Sequence, residues 1–98
     1  MGVPLTTDLT SPDAIPYFLW DEPMTVAEVK HRLLSASETE KVRLLAKILR
    51  EARDTDVWLF TTHEEVVRLW AQLEPRLGRR RDFWNFLLGQ WRSQGLIA

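Results

Sequence analysis

The stretch "SETEKVRLLAKILREAR", Ser37–Arg53, decides the fold because it has the pattern of a long, capped amphipathic helix. Ser37 and Glu40 form a capping box, in which the serine hydroxyl accepts from the third amide and the glutamate reaches back. The apolar positions at helical spacing are Val42, Leu45, Leu49 and Ala52, flanked by Leu44 and Ile48. A stripe this broad predicts contact with helices on two sides. The residues predicted to face solvent are Lys41, Arg43, Lys47, Arg50 and Glu51.

Two further capping boxes predict the helices on either side of this one. "TVAE", Thr25–Glu28, starts a helix that we expect to end near Ser35. "THEE", Thr62–Glu65, starts another, which Pro75 is expected to stop. Their buried stripes are predicted to be Val26, Val29 and Leu33 in the first, and Val66, Leu69, Trp70 and Leu73 in the second.

The last helix is predicted to run from about Arg80 to Ser93, after a turn at Gly78 and before a stop at Gly95. Helical spacing marks its buried stripe as Phe83, Phe86, Leu87, Gln90 and Trp91. Trp84 lies off this stripe, rotated by about 100° from its neighbour, so it either packs against another element or is exposed. "DTDVWLFTT", residues 54–62, is predicted to begin with a short helical turn capped by Asp54 or Thr55.

The sequence therefore predicts a single all-α domain of four main helices, arranged as a bundle or a short helical-repeat-like array. Residues 17–98 are predicted to form this helical domain. Residues 1–16, rich in proline, threonine and aspartate, are expected to be an extended or mobile N-terminal segment.

Composition excludes several kinds of site and indicates a cytoplasmic protein. The 98 residues include no cysteine, so disulfides, iron–sulfur clusters and thiolate zinc sites are ruled out. We find no apolar run of about 20 residues, and we expect neither a signal peptide nor membrane association. A reducing cytoplasm fits this composition.

The chain carries no recognisable catalytic motif, and we expect neither enzymatic activity nor a cofactor. His63 and Glu64 resemble the start of a zinc-protease helix, but the position of the second histidine is occupied by Val67. His31 lies between two basic residues, and the four glycines are not clustered as in a phosphate loop. An unfamiliar enzyme using His63 with Glu64 or Glu65 would require a concave pocket around the imidazole.

The formal charge of −1 conceals a polarity along the chain. Residues 1–40 carry seven acids and two bases, whereas residues 68–98 carry six arginines and two acids. Arg79, Arg80 and Arg81 open the last helix, where the helix dipole favours acids instead. These arginines could contact phosphate, an acidic partner surface or the chain's own N-terminal segment, or lie in solvent.

"PYFLWDEP", Pro16–Pro23, places several large apolar side chains just before the first helix. Phe18 and Leu19 are predicted to be buried as a core anchor. Tyr17, Phe18 and Trp20 cannot all face one direction, so Tyr17 and Trp20 are candidates for contact with a partner. Aromatic residues and arginine are preferred anchors of protein interfaces.

The segment from "PYFLWDEP" through "LLAKILREARD" to "DVW" resembles small bacterial helical proteins that are often encoded beside nucleotidyltransferase-type toxins of the abortive-infection class. The resemblance extends over about residues 16–95 and implies an antitoxin or accessory role. It carries over no catalytic residue.

The leading hypothesis is a non-enzymatic protein-binding module, antitoxin-like or accessory, in a bacterial toxin–antitoxin or defence system. Its partner would be another protein, either a toxin or a second copy of the chain. The predicted contact residues are Tyr17, Trp20, Trp84, Arg79, Arg80 and Arg81. The alternative is a nucleic-acid-binding regulator that uses the Arg79–Arg81 turn and the last helix; the sequence pI of about 6.1 is low for that class.

Overall fold

The computed structural model describes residues 5–96, which form an all-α domain, as the sequence predicts. The helices are α1 (Val26–Ser35), α2 (Glu38–Glu51), α3 (Asp54–Val57), α4 (His63–Arg68), α5 (Trp70–Leu73) and α6 (Arg81–Ser93). Short 3₁₀ turns cover Tyr17–Leu19, Glu74–Arg76 and Gly78–Arg80. Two strands of two residues each, β1 (Leu5–Thr6) and β2 (Ile15–Pro16), pair in parallel.

The hydroxyl half of all three capping boxes forms at the predicted residues, but within residues 5–96 no glutamate side chain reaches back to its N-cap amide. The hydroxyls of Thr25, Ser37 and Thr62 accept hydrogen bonds from the third amide of their helices, at 3.1, 3.3 and 3.2 Å. These bonds satisfy amides that lack a partner within the helix, and they set where α1, α2 and α4 begin. The short helix α3 has no side-chain cap, so the predicted capping by Asp54 or Thr55 is wrong.

Helix α2 is the central element of the domain. It contacts α1, α3, α5 and the turn Gly78–Arg80, and every residue from Leu44 to Leu49 is buried. The predicted apolar positions are all buried, but Lys47, which we expected to face solvent, is buried too. The segment before α1 crosses this side of α2, and the Lys47 ammonium forms an ion pair there with Asp21.

The C-terminal end of α2 is completed by side chains from distant parts of the chain. The Arg53 amide, which would continue the helix, donates to the Tyr17 hydroxyl at 2.7 Å. The Leu49 carbonyl accepts instead from the buried indole Nε1 of Trp84, at 2.8 Å. The last carbonyls of a helix lack intrahelical donors, so these two contacts supply partners that the helix itself cannot.

The predicted buried stripe of α6 is confirmed at Trp91 but is otherwise displaced by part of a turn. The buried side chains are Trp84, Leu88 and Trp91, whereas Phe83, Phe86 and Gln90 are exposed and Leu87 is half-buried. The indole of Trp84 must face α2 to donate to Leu49, and the rings of Trp84 and Trp91 both pack edge-on against Trp58. These contacts select one of two adjacent apolar faces of the helix.

The helix predicted from Thr62 to Pro75 is interrupted. It breaks at Leu69 between α4 and α5, and Pro75 lies inside the following 3₁₀ turn rather than ending the helix. Gly78 and Gly95 occur where predicted and have φ of 53° and 75°, a left-handed conformation that favours glycine. After Gly95, the Leu96 amide donates to the Trp91 carbonyl at 2.9 Å, which closes α6 with a Schellman-type bond.

Residues 5–16, part of the segment predicted to be extended or mobile, include two short strands and pack against the helices. Leu9 is buried, and the carbonyls of Ala14 and Pro12 accept from the first two amides of α1, at 2.9 and 3.1 Å. Part of this segment therefore caps α1 through its backbone. Residues 1–4 of the predicted segment, and residues 97–98, lie outside the described residues.

The indole of Trp84 is expected to make a large contribution to the free energy of unfolding of the domain. Trp84→Phe removes the donor to the buried Leu49 carbonyl and leaves a void, so we expect a loss of about 2–4 kcal/mol in the free energy of unfolding. Trp20→Phe is the matched control, because Trp20 is mostly exposed and its replacement should change stability by less than about 0.5 kcal/mol. Urea unfolding followed by circular dichroism measures both; equal losses would contradict the role given to Trp84.

Candidate functional site

"PYFLWDEP" serves both as an anchor and as an exposed surface. Phe18 and Leu19 are fully buried, as predicted. Tyr17 is half-buried, and its hydroxyl donates to Asp56 at 2.6 Å while accepting from the Arg53 amide. Trp20 has 65% of its surface exposed. Of the two contact residues predicted here, Trp20 is thus available at the surface, and Tyr17 holds the fold together.

The acidic residues after Trp20 fix it to α2. Asp21 pairs with the buried Lys47, and Glu22 receives two hydrogen bonds from the Arg43 guanidinium, at 2.9 and 2.7 Å. Arg43 also binds Glu40. The hydrogen bond from Arg43 lowers the pKa of Glu22 below its ordinary value, and that from Lys47 does the same for Asp21. The segment that carries Trp20 is therefore held in place against α2.

Phe83 and Phe86 lie on the side of α6 that faces away from the core, which we call the outer face of α6. Phe86 is 62% exposed, and Phe83, whose ring contacts Trp84, is 37% exposed. Trp84, which we predicted as a contact residue, is fully buried and so is removed from the candidate surface. Sequence reasoning named both phenylalanines but assigned them to the core. Their spacing of three residues was the signal, because it places them together on one side of the helix.

The three arginines before this face have three different environments. Arg81 pairs with Glu74 and Asp82. The Arg80 guanidinium lies 4.8 Å from the centre of the Phe83 ring, and its Nη1 is 3.4 Å from the Ala52 carbonyl. Arg79 is exposed and forms no ion pair within residues 5–96. The predicted cluster is therefore divided, and none of its members pairs with the described part of the acidic N-terminal segment.

A second surface, the α1–α4 groove, was not predicted. It has a volume of about 460 Å³ and lies between the end of α1, the start of α2 and the turn before α4. Its apolar lining consists of Leu33, Leu34, Leu45, Leu59 and Phe60. Leu34 and Leu59 are 88% and 51% exposed. The available signal was Leu34 itself, a leucine beside the buried stripe of α1 with no predicted partner.

Charged side chains line part of this groove. Lys41 pairs with Glu65, which also receives the Arg68 guanidinium at 2.8 Å, and Arg68 continues to Glu38 at 3.0 Å. The hydrogen bonds from Arg68 and then Lys41 lower the pKa of Glu65 to about 2. Lys30 lines the groove and forms no ion pair with any described residue. The lining therefore includes two cations and one anion.

His63 is packed among aromatic rings. Its imidazole stacks on Trp58 with ring centres 4.1 Å apart and meets the edge of Trp91 at 4.4 Å. It does not line the α1–α4 groove, and Glu65 is engaged in ion pairs. Nothing in this arrangement supports the alternative of catalysis by His63 with Glu64 or Glu65. Within residues 5–96, no three acidic or histidine side chains come together as metal ligands.

No family model, curated protein or solved structure matches this chain. These comparisons give no support to the resemblance with proteins encoded beside abortive-infection toxins. No helix between residues 5 and 96 is both long enough and apolar enough to cross a membrane. The choice of candidate site therefore depends on the geometry of the outer face of α6 and of the α1–α4 groove.

The ion pairs of Glu65 should make stability depend on acid pH. Glu65→Gln is expected to lower the free energy of unfolding at pH 7 by about 1 kcal/mol, a value discounted for solvent screening. A lowered pKa stabilises the fold above pH 4.5, the ordinary value, and the effect is lost as pH falls towards about 2. The difference between the wild type and Glu65→Gln should shrink over this interval.

Glu64→Gln is the control for this measurement, because Glu64 is adjacent, exposed and outside the ion-pair network. Urea unfolding at pH 7, 4 and 2.5 compares the three proteins. A gap between the wild type and Glu65→Gln that stays constant across these pH values would refute the stated cause.

Proposed function

We propose that this chain is a non-enzymatic protein-binding module that contacts its partner through the outer face of α6. One observation carries the proposal: Phe83 and Phe86 are exposed side by side on a helix whose opposite face is locked into the core. Exposed aromatic side chains clustered on one surface are characteristic of interaction sites.

The rigidity of α6 strengthens this proposal. Trp84 and Trp91 bind the inner face of the helix to α2 and Trp58, so the phenylalanines on the outer side need little ordering on binding. A contact surface that is already ordered loses less conformational entropy when a complex forms. Arg80 extends over the Phe83 ring and adds a cation to the aromatic surface.

The proposed biological role is that of an antitoxin-like or accessory partner in a bacterial toxin–antitoxin or defence system, in the cytoplasm. This part depends on the resemblance of residues 16–95, and the absence of cysteine agrees with a reducing compartment. Trp20 and Arg79, both exposed, are candidates to extend the contact beyond α6.

Co-expression with the product of the neighbouring gene, followed by size-exclusion chromatography, tests this proposal. We expect a complex that co-elutes, and we expect Phe86→Ser to weaken it at least tenfold, because a central aromatic anchor is lost. Asn85→Ser is the matched control, since it changes an adjacent exposed residue of the same helix and should leave binding unchanged. Absence of co-elution and of any effect on toxicity would reject the proposal.

The nucleic-acid alternative predicts a different outcome. Binding to a DNA duplex would weaken with added salt, and Arg79→Ala would reduce both the affinity and the salt dependence. Under the protein-binding proposal, Arg79→Ala changes DNA affinity by less than twofold at 150 mM salt. A large loss of DNA affinity in Arg79→Ala, together with no effect of Phe86→Ser, would favour the regulator instead.

A further inference from the structure

We propose that the α1–α4 groove is a second binding site, which takes an acidic amphipathic helix of a partner protein. It is built from different elements than the outer face of α6, and it does not depend on the function proposed for that face. Both its open shape and its charge favour this occupant.

The apolar part of the groove fits a pair of side chains from a partner helix. Leu45 is buried in the lining, while Leu34 and Leu59 stand exposed at the end of α1 and in the turn before α4. Such grooves bind amphipathic helices through apolar anchors spaced three or four residues apart. An occupant that covered Leu34 and Leu59 would remove two of the most exposed leucines of the described chain from water.

The groove is open to solvent along the surface, which favours a peptide over a small molecule. A pocket for a small ligand encloses most of the ligand surface. Here two of the lining side chains, Leu34 and Leu59, are themselves largely exposed, so a small apolar molecule would remain in contact with water. A helix would cover both leucines and extend past the ends of the groove.

The charges of the lining favour an acidic partner. Glu65 is already neutralised by Lys41 and Arg68, whereas Lys30 has no ion-pair partner in residues 5–96. The groove therefore presents a cation beside its apolar surface. A carboxylate that flanks the apolar anchors of the partner helix would pair with Lys30, and a lysine in that place would be repelled.

Selection from a display library of random 16-residue peptides tests this site and requires no identified partner. We expect enriched peptides to contain two large apolar residues three or four positions apart, flanked by aspartate or glutamate. Synthetic versions should bind the wild-type protein in fluorescence anisotropy. Leu34→Ser and Leu59→Ser should each weaken binding at least tenfold, and since both residues are exposed, the variants should keep the wild-type melting temperature within a few degrees.

Two further variants test separate questions. One measures the contribution of charge to peptide binding, and the other tests whether the outer face of α6 takes part in it. Lys30→Glu should weaken the acidic peptide about two- to fivefold at low salt, with the difference shrinking at 0.5 M salt, and should improve binding of a twin peptide carrying lysines. Phe86→Ser should leave peptide affinity unchanged, whatever its effect on the co-eluting partner.

Three outcomes would overturn the proposal. The first is that no peptide is enriched, and the second is that enriched peptides bind Leu34→Ser and Leu59→Ser as tightly as the wild type. The third is that sodium decanoate, an amphiphilic carboxylate, shifts the NMR signals of Leu34 and Leu59 while the selected peptides do not.

Discussion

The unsatisfied backbone at the end of α2 is the constraint on which the rest of the structure depends. The Leu49 carbonyl and the Arg53 amide have no partners within the helix; the carbonyl lies in the core, whereas the amide lies at the exposed end of the helix. Trp84, 35 residues later, donates to the carbonyl, and Tyr17, 36 residues earlier, accepts from the amide. The segment before α1 and the helix α6 are thereby both bound to the C-terminal end of α2.

This attachment determines which side chains reach the surface. With the indole of Trp84 directed at Leu49, α6 has a single permitted rotation, and Phe83 and Phe86 must face outward. On the other side of α2, Phe18 and Leu19 are buried and Asp21 is held by Lys47, so Trp20 points to solvent. The exposure of these aromatic residues is thus a consequence of the contacts that hold the core together. The backbone that carries them is held by the same contacts.

The candidate site was only partly predictable from the sequence. Trp20 and the arginine turn were identified as surface features, but Trp84, also predicted to contact a partner, is buried, and the phenylalanines were assigned to the wrong side of α6. Helical periodicity places Phe83, Phe86 and Leu87 on one apolar face and Trp84, Leu88 and Trp91 on an overlapping one. The two faces are similarly apolar, so periodicity could not choose between them. The α1–α4 groove was beyond prediction because its walls come from segments that meet only in the folded chain.

What the sequence determined by itself is local. The N-cap hydroxyls of Thr25, Ser37 and Thr62 set the starts of α1, α2 and α4, and Gly78 and Gly95 set the turns on either side of α6, because these signals act within a few residues. The tertiary structure alone decided that Lys47 is buried against Asp21, that the helix after Thr62 breaks at Leu69, and that Trp84 faces inward. The burial of Lys47 and the orientation of Trp84 each depend on a partner atom distant along the chain, the Asp21 carboxylate and the Leu49 carbonyl, and no local sequence signal encodes such a contact.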